Sequence, residues 1–504
     1  VAGFAILPIL LLVLLMTVLR WSAAVAGTVA AVAAATVAVV VFQFGETPAD
    51  LAGPILEAAF TAATILWIIF PALSIHEYQT HTGATGVIGN WLSSISDSPA
   101  ATALLLGWFF ALFLEGASGF GTPVAILAPM LVALGVSPSR AVLTALLGHV
   151  VAVSFGAVGA PMVPLLEAGL LDERRLALEI LLLHACLGWV MTLLVVRYAA
   201  VGPAIAGAAG ANDATPMARR FALVAAVCFF GAAAVVAMLT GAELPALGGA
   251  LLGGALFVAW LRRGPSASSR SGPGVTAVLM AGLPYIVLVV LILGSRLIGP
   301  LRTALRADRI EWTYGTGFGD VMLPFYHPGT MLMAAFLVTA VVHRSSPRLV
   351  GTSMVAAARR LPQVAIALVA VLTLARFMVH GGLIDALAVG VTTLFGRLWP
   401  LAVPLVGALG SFVTGSGTAS NIIFANFQVA AADAVRMPHG LALAGQSVGS
   451  AIGNIIAPHN IVAGTATVGL VGREGETLAS TVPICLGYVA AAGVLVLLLQ
   501  TVLP

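Results

Sequence analysis

From end to end the chain is a succession of apolar runs, most of about 17–25 residues, long enough to cross a hydrocarbon core of about 30 Å. The polar breaks between them are short, and no polar stretch is long enough to fold alone as a soluble catalytic domain. Only 8% of the 504 residues are charged and 60% are hydrophobic, against about 25% charged in a soluble domain. Apolar runs from 4–19 to 480–502 predict an all-α polytopic membrane protein of about 12–15 spans. The apolar start, Phe4 to Leu19, has no basic leader and reads as a first span in preference to a cleaved signal peptide.

Charge adds orientation. Every basic residue is arginine; there is no lysine. The arginines sit singly or in pairs between apolar runs, a pattern of topology signals that excludes a nucleic-acid patch. Arg219-Arg220 and Arg262-Arg263, with Arg270 in a Gly/Ser/Pro-rich loop, are separated by two apolar runs and so should share a side. The positive-inside rule makes that side cytoplasmic and puts 297–328 outside, where it reads as a surface loop with a short helix. Cys186, Cys228 and Cys485 are scattered through apolar runs and read as packing residues, with no metal spacing.

Two segments resemble each other. One runs Glu115-Gly-Ala-Ser-Gly-Phe-Gly-Thr-Pro-Val, then Gly148-His149, then Gly159-Ala-Pro161. The other runs Thr414-Gly-Ser-Gly-Thr-Ala-Ser-Asn421, then Gly445-Gln446, then Ile456-Ala-Pro458. Thr122 lies 26 residues before Gly148 and 39 before Pro161; Thr418 lies 27 before Gly445 and 40 before Pro458. Spacing held within one residue over about forty predicts an internal repeat. An odd number of spans between the motifs would invert one half relative to the other, the arrangement that points to a secondary transporter's binding site. The chain then divides into an N-terminal half, 1–218, with its signature at 113–161; connecting spans, 219–274; and a C-terminal half, 275–504, with its signature at 410–460.

Three glycines and a proline make 116–123 a poor continuous helix. Broken backbone at membrane depth survives only where protein or a water-filled cavity satisfies its polar groups. Segments 116–134 and 415–431 are therefore expected to be re-entrant or discontinuous helices meeting near the midplane. A helix starting there aims unpaired N–H groups at the cavity, which suits a carboxylate. Candidate substrate contacts are Ser118, Gly119, Thr122, Ser416, Thr418, Ser420 and Asn421, with Gln446, Asn454 and His459 from the elements that follow. Small residues also let membrane helices pack closely, and one glycine-rich run alone would be explained that way; two matched runs favour a site. Ionisable residues inside spans are functional candidates: Glu115 and His149 for ion coupling, and Arg376 for an anion contact, against snorkelling to the interface. Glu57, Glu167, His184 and Asp385 receive no role.

Two enzyme-like signals fail. His76-Glu-Tyr-Gln-Thr-His81 resembles a zinc-protease helix, but its histidines are five apart and cannot share the face that i and i+4 share. Gly116–Gly121 has no preceding strand and no following Lys-Ser/Thr to make a phosphate loop. No clustered catalytic set is visible, and neither an enzymatic reaction nor a cofactor or metal is expected.

Residues 113–129, Phe-Leu-Glu-Gly-Ala-Ser-Gly-Phe-Gly-Thr-Pro-Val-Ala-Ile-Leu-Ala-Pro, resemble the first signature of the L-lactate permease family, as does Ser154-Phe-Gly-Ala-Val-Gly-Ala-Pro161. Phe412-Val-Thr-Gly-Ser-Gly-Thr-Ala-Ser-Asn-Ile-Ile-Phe with Gln428, Ala457-Pro-His-Asn-Ile and Ala466–Glu474 resemble later family sequence. The resemblance implies proton-coupled symport of small 2-hydroxymonocarboxylates, such as L-lactate, D-lactate or glycolate, across the bacterial inner membrane. Its partners would be a small organic anion and membrane lipids, with no nucleic acid; a homodimer is compatible with it. Members of the family typically carry an acid where this chain has Gly417 and a base where it has Asn454. A sodium-coupled carrier of another small organic anion is the alternative, with Thr418-Ala-Ser-Asn421 supplying oxygens to the ion.

Overall fold

The computed structural model describes the chain apart from residues 1, 18, 20, 22, 120–121, 200–215, 264–271, 316–317, 471–472 and 503–504; Arg20 and Arg270 lie outside the described residues. Ten helices among them are long and apolar enough to cross a membrane, or eleven if the bent pair Glu173–Leu187 and Trp189–Ala199 counts as one span. The larger number expected from sequence came from apolar runs such as 140–157 and 440–456, which here are parts of broken helices.

Two 34-residue helices organise the molecule: α1 (Pro48–His81), and its later counterpart Pro347–His380. Each begins on a hydroxyl followed by proline, Thr47-Pro48 and Ser346-Pro347, because the hydroxyl residue caps the first turn and proline needs no N–H there. After α1 come a short helix, Ala84–Ser93, then α2 (Pro99–Ala117), α3 (Thr122–Ala133), α4 (Pro138–Gly148), α5 (Val163–Gly169) and α6 (Glu173–Leu187). A two-stranded antiparallel ribbon follows later, β1 (Ile310–Tyr314) and β2 (Phe318–Met322), with Trp312 opposite Asp320. Then α7 (Pro347–His380) starts the series again: a short helix, Leu383–Phe395, then α8 (Trp399–Thr414), α9 (Gly417–Val435), α10 (His439–Gly453) and α11 (Pro458–Thr467). The segment 297–328 thus holds a short helix, Gly299–Leu305, and also a ribbon.

The two series are inverted. The long helices α1 and α7 pack together antiparallel: at one end His380 Nε2 lies 2.8 Å from Glu57 Oε2, and at the other His81 Nδ1 lies 3.3 Å from Ser353 Oγ. The first end meets the ribbon, where Gly319 N–H donates to Glu57 Oε1 at 3.3 Å; this is the ribbon side. At the opposite end Tyr78 Oη contacts His343 Nδ1 at 2.8 Å and Ser345 Oγ at 2.6 Å. Trp91, Arg262 and Arg263 border one cavity, and Arg220 stacks 5.5 Å above Trp260, so the arginine pairs share this arginine side, as expected.

Each series holds a helical hairpin that enters the protein and turns back. After the break at Gly119, α3 returns towards the arginine side, where Met130 packs on Gly89. At 12 residues it spans only about 18 Å. After Gly415, at φ 71°, α9 runs back along α8: Gly410 faces Ser420, Gly407 O accepts from the Ser420 hydroxyl, and Val403 O accepts from Gln428. Its far end leads to Gly440, which abuts Glu179 in α6 on the ribbon side. The segments predicted to be re-entrant therefore enter from opposite faces.

Candidate functional site

The tips of the two hairpins meet the broken parts of two other helices around one cavity. Glu115, Gly119, Val153, Gly156, Ala157, Pro161, Gly415–Thr418 and Asn454 line it. Its volume is about 20 Å³, room for about one water.

Four local features build it. The α2–α3 tip turns at Gly119, φ 61°, beside Ala157. The α8–α9 tip turns at Gly415, after which Ser416 caps α9 by accepting from Ala419 N–H at 3.4 Å. Between α4 and α5 the chain unwinds: Ala157, Val158 and Gly159 all have positive φ, 43°, 53° and 85°. A β-branched residue held there is strained, a conformation that persists only where the surroundings dictate it. Between α10 and α11 the helix tightens through Asn454–Ile456 and restarts at Pro458.

The side chains make an unusual set. Glu115 is buried, its Oε2 without a hydrogen-bond partner among the described residues and its Oε1 against the Gly156 backbone. Among the described residues no arginine lines the cavity. The first N–H groups of α9, at Gly417 and Thr418, precede any carbonyl that could pair with them inside the helix. Thr418 is buried there. Gly417 and Asn454 border the same cavity. A Cβ at 417 would sit 3.0 Å from Val153 Cγ1, so a larger residue there needs a small shift of that valine.

Of the residues expected from sequence to touch substrate, Gly119, Ser416, Thr418 and Asn454 border the cavity, with Glu115. The side chains of Ser118, Thr122 and His459 lie outside the described residues. Ser420, Asn421 and Gln446 are placed behind it, because backbone carbonyls and one another claim their polar atoms. Ser420 Oγ donates to Gly407 O at 2.8 Å, and Asn421 Nδ2 to Pro161 O at 3.0 Å. Gln446 Nε2 donates to Ser420 Oγ at 3.2 Å and accepts, through Oε1, from Gln428 Nε2 at 2.9 Å. The Asn421 bond ties α9 to the break between α4 and α5. His149 backs Asn454: its Nδ1 faces Ala145 O at 2.8 Å, which requires a hydrogen on that nitrogen, and its Nε2 lies 3.5 Å from Asn454 Oδ1.

Arg376 has a different place from the anion contact considered above. It sits near the ribbon-side end of α7, with Nη2 3.1 Å from Glu167 Oε2 and 3.3 Å from Thr61 Oγ1, and Nε 3.6 Å from Glu57 Oε2. His380 completes this cluster, and Thr61 donates to Asp320 Oδ2 at 3.3 Å. A second feature also escaped the sequence reading. Asn460 Nδ2 donates to the Asn454 carbonyl at 3.1 Å and to Asn454 Oδ1, fixing the side chain that faces the cavity. Ser154 Oγ contacts His184 Nε2 at 2.9 Å, and His184 Nδ1 lies 3.3 Å from Tyr488 Oη. No local pattern announces these partners; they are 30 and 304 residues apart.

A family model described as L-lactate permease matches residues 2–306 and 321–503. The chain belongs to the L-lactate permease family. It is similar to an L-lactate permease of Streptococcus iniae, 30% identical over 447 residues that cover 86% of this chain and 92% of that one. It is also similar to the glycolate permease GlcA of Escherichia coli, 27% identical across 98% of this chain and 94% of that protein. Among solved structures it resembles the Alcanivorax borkumensis YdaH transporter, with a TM-score of 0.51 at 16% identity, covering 94% of this chain and 98% of that one. That likeness concerns the fold alone. As an L-lactate permease family member with ten helices, among the described residues, long and apolar enough to cross a membrane, the chain is a multi-pass protein of the bacterial inner membrane.

Proposed function

We propose that this permease carries small 2-hydroxymonocarboxylates, lactate or glycolate, across the inner membrane together with a proton. The observation that carries the reading is the cavity itself: two oppositely entering hairpin tips and two helix breaks converge on a space whose one ionisable lining side chain, among the described residues, is Glu115. The printed names of the relatives, lactate and glycolate permeases, supply the substrate class.

In this reading the carboxylate sits at the start of α9, taken up by the Gly417 and Thr418 N–H groups and the Thr418 hydroxyl. A helix N-terminus stabilises an anion without a full positive charge. Asn454, held by Asn460, offers a further polar group to the substrate. Glu115 is the proton carrier. A buried carboxylate facing no cation costs much more than its neutral acid, so proton binding and the closed conformation favour each other. The substrate needs more room than about 20 Å³, so a hairpin must draw back. Withdrawal of α2–α3 opens the cavity towards the arginine side and withdrawal of α8–α9 towards the ribbon side, which is alternating access. The arginine pairs make the former side cytoplasmic.

Uptake of labelled lactate into proteoliposomes under an imposed proton or sodium gradient tests this. Accumulation driven by the proton gradient is expected. Accumulation driven by sodium alone would replace the reading with the sodium-coupled one, against which stand the backbone partners already holding Ser420 and Asn421.

A further inference from the structure

A second cavity, of about 650 Å³, lies away from the transport site between the helices Ala84–Ser93, α2, Pro245–Arg262 and Val275–Leu297. Phe109, Phe113 and Tyr285 line its buried part, with Trp91 and Leu279 nearer the surface. Arg262 and Arg263, both exposed, border it at the C-terminal end of their helix. We propose that this cavity is a binding site for one anionic phospholipid of the arginine-side leaflet, an acyl chain inside and the phosphate on the two guanidiniums.

Three observations select that occupant. The lining is apolar along its depth and cationic at one end, the polarity of a lipid and the reverse of a small hydrophilic solute. The volume falls in the range of ligand sites, about 300–1,000 Å³. The arginines stand on the side that the other arginine pair also marks, where basic pockets between membrane helices meet anionic headgroups. A helix C-terminus presents carbonyl oxygens and repels an anion, so the headgroup must be held by the side chains. Arginine suits this because it stays charged and its fork matches phosphate oxygens. Two adjacent guanidiniums favour a net-negative headgroup over a zwitterionic one.

The glycines supply a test that leaves the arginines alone. A Cβ at Gly282 would meet nothing nearer than Ile286 Cδ1 at 4.0 Å, and one at Gly254 only Phe109 at 3.5 Å. Gly282→Trp therefore fills the cavity without displacing backbone. The purified full-length protein is titrated in detergent with dioleoyl phosphatidylglycerol, dioleoyl phosphatidylcholine, or glycerol phosphate without acyl chains. Bound lipid is read by native mass spectrometry and by the thermal unfolding midpoint. Phosphatidylglycerol should bind at least tenfold more tightly than phosphatidylcholine, and glycerol phosphate should not bind. Arg262→Gln/Arg263→Gln should erase the headgroup preference, and Gly282→Trp should remove both lipids. Arg348→Gln/Arg359→Gln, equal in charge change and bordering a different cavity, should behave as wild type. Equal loss in that control, an unchanged preference in Arg262→Gln/Arg263→Gln, or retention of lipid in Gly282→Trp would overturn the proposal. So would a dimer that Gly282→Trp splits into monomers, since the cavity would then be a subunit interface.

Discussion

Replacing Thr418 by valine keeps the shape of the side chain and deletes one hydrogen-bond donor at the start of α9. The residue is 3% exposed, so the change exposes no new surface and leaves the helix intact. A hydrogen bond to a charged group is worth about 1.5–3 kcal/mol, and about 1.4 kcal/mol is a factor of ten in affinity. Thr418→Val should therefore weaken lactate binding by at least about tenfold and up to about a hundredfold. Arg376→Gln is the matched comparison. Its guanidinium is committed to Glu57 and Glu167 and does not border the cavity, so binding should change less than about threefold, under the roughly 1.4 kcal/mol that a factor of ten needs. The assay is scintillation proximity binding of labelled lactate to purified protein, with circular dichroism to verify folding of both variants. Loss of binding in Arg376→Gln with none in Thr418→Val would show that the anion is held by the arginine, and the helix-end site would be wrong.

Three further outcomes follow from the same geometry. Glu115→Gln should abolish proton-driven accumulation in proteoliposomes while counterflow exchange continues; undiminished accumulation would remove Glu115 from coupling. Gly156→Ala would place a Cβ 2.6 Å from Glu115 Oε1, so it should lower transport strongly at normal expression, a combination that wild-type turnover would contradict. Glu57→Leu takes the shared carboxylate from His380 and Arg376, and loss of one partner of a buried pair costs about 3–5 kcal/mol; a clear drop in the unfolding midpoint should appear, and no change would mean that solvent screens the cluster.

The hairpin tips were legible because glycine, serine and threonine at membrane depth leave few alternatives: Gly119 and Gly415 both adopt the left-handed backbone that glycine permits. The second elements were legible too, since Gly159-Ala-Pro161 and Ala457-Pro458 mark the breaks that border the cavity. What lay hidden was partnership. Asn421 shows as a polar residue near a motif, yet its carboxamide is spent on Pro161 O, 260 positions away. Glu57 and His380, individually uninformative in two apolar runs, meet only because α1 and α7 are antiparallel. Ile310–Tyr314 carries four branched or aromatic residues in five before Gly315, a strand signal that its polar flanks obscured.

The long helices α1 and α7 are equivalent in length and inverted in direction, but their two ends are fastened differently. On the ribbon side Glu57, Glu167, Arg376 and His380 interlock with little exposure of Glu57. On the arginine side Tyr78 contacts His343 and Ser345, and a single ion pair among the described residues, Arg360 with Glu77, joins a half-exposed arginine to a buried glutamate. A backbone with twofold pseudosymmetry therefore has unequal latches. Under the alternating access proposed above, influx and efflux need not have mirror-image kinetics, and the exit that parts the four-residue ribbon-side cluster should be the slower one.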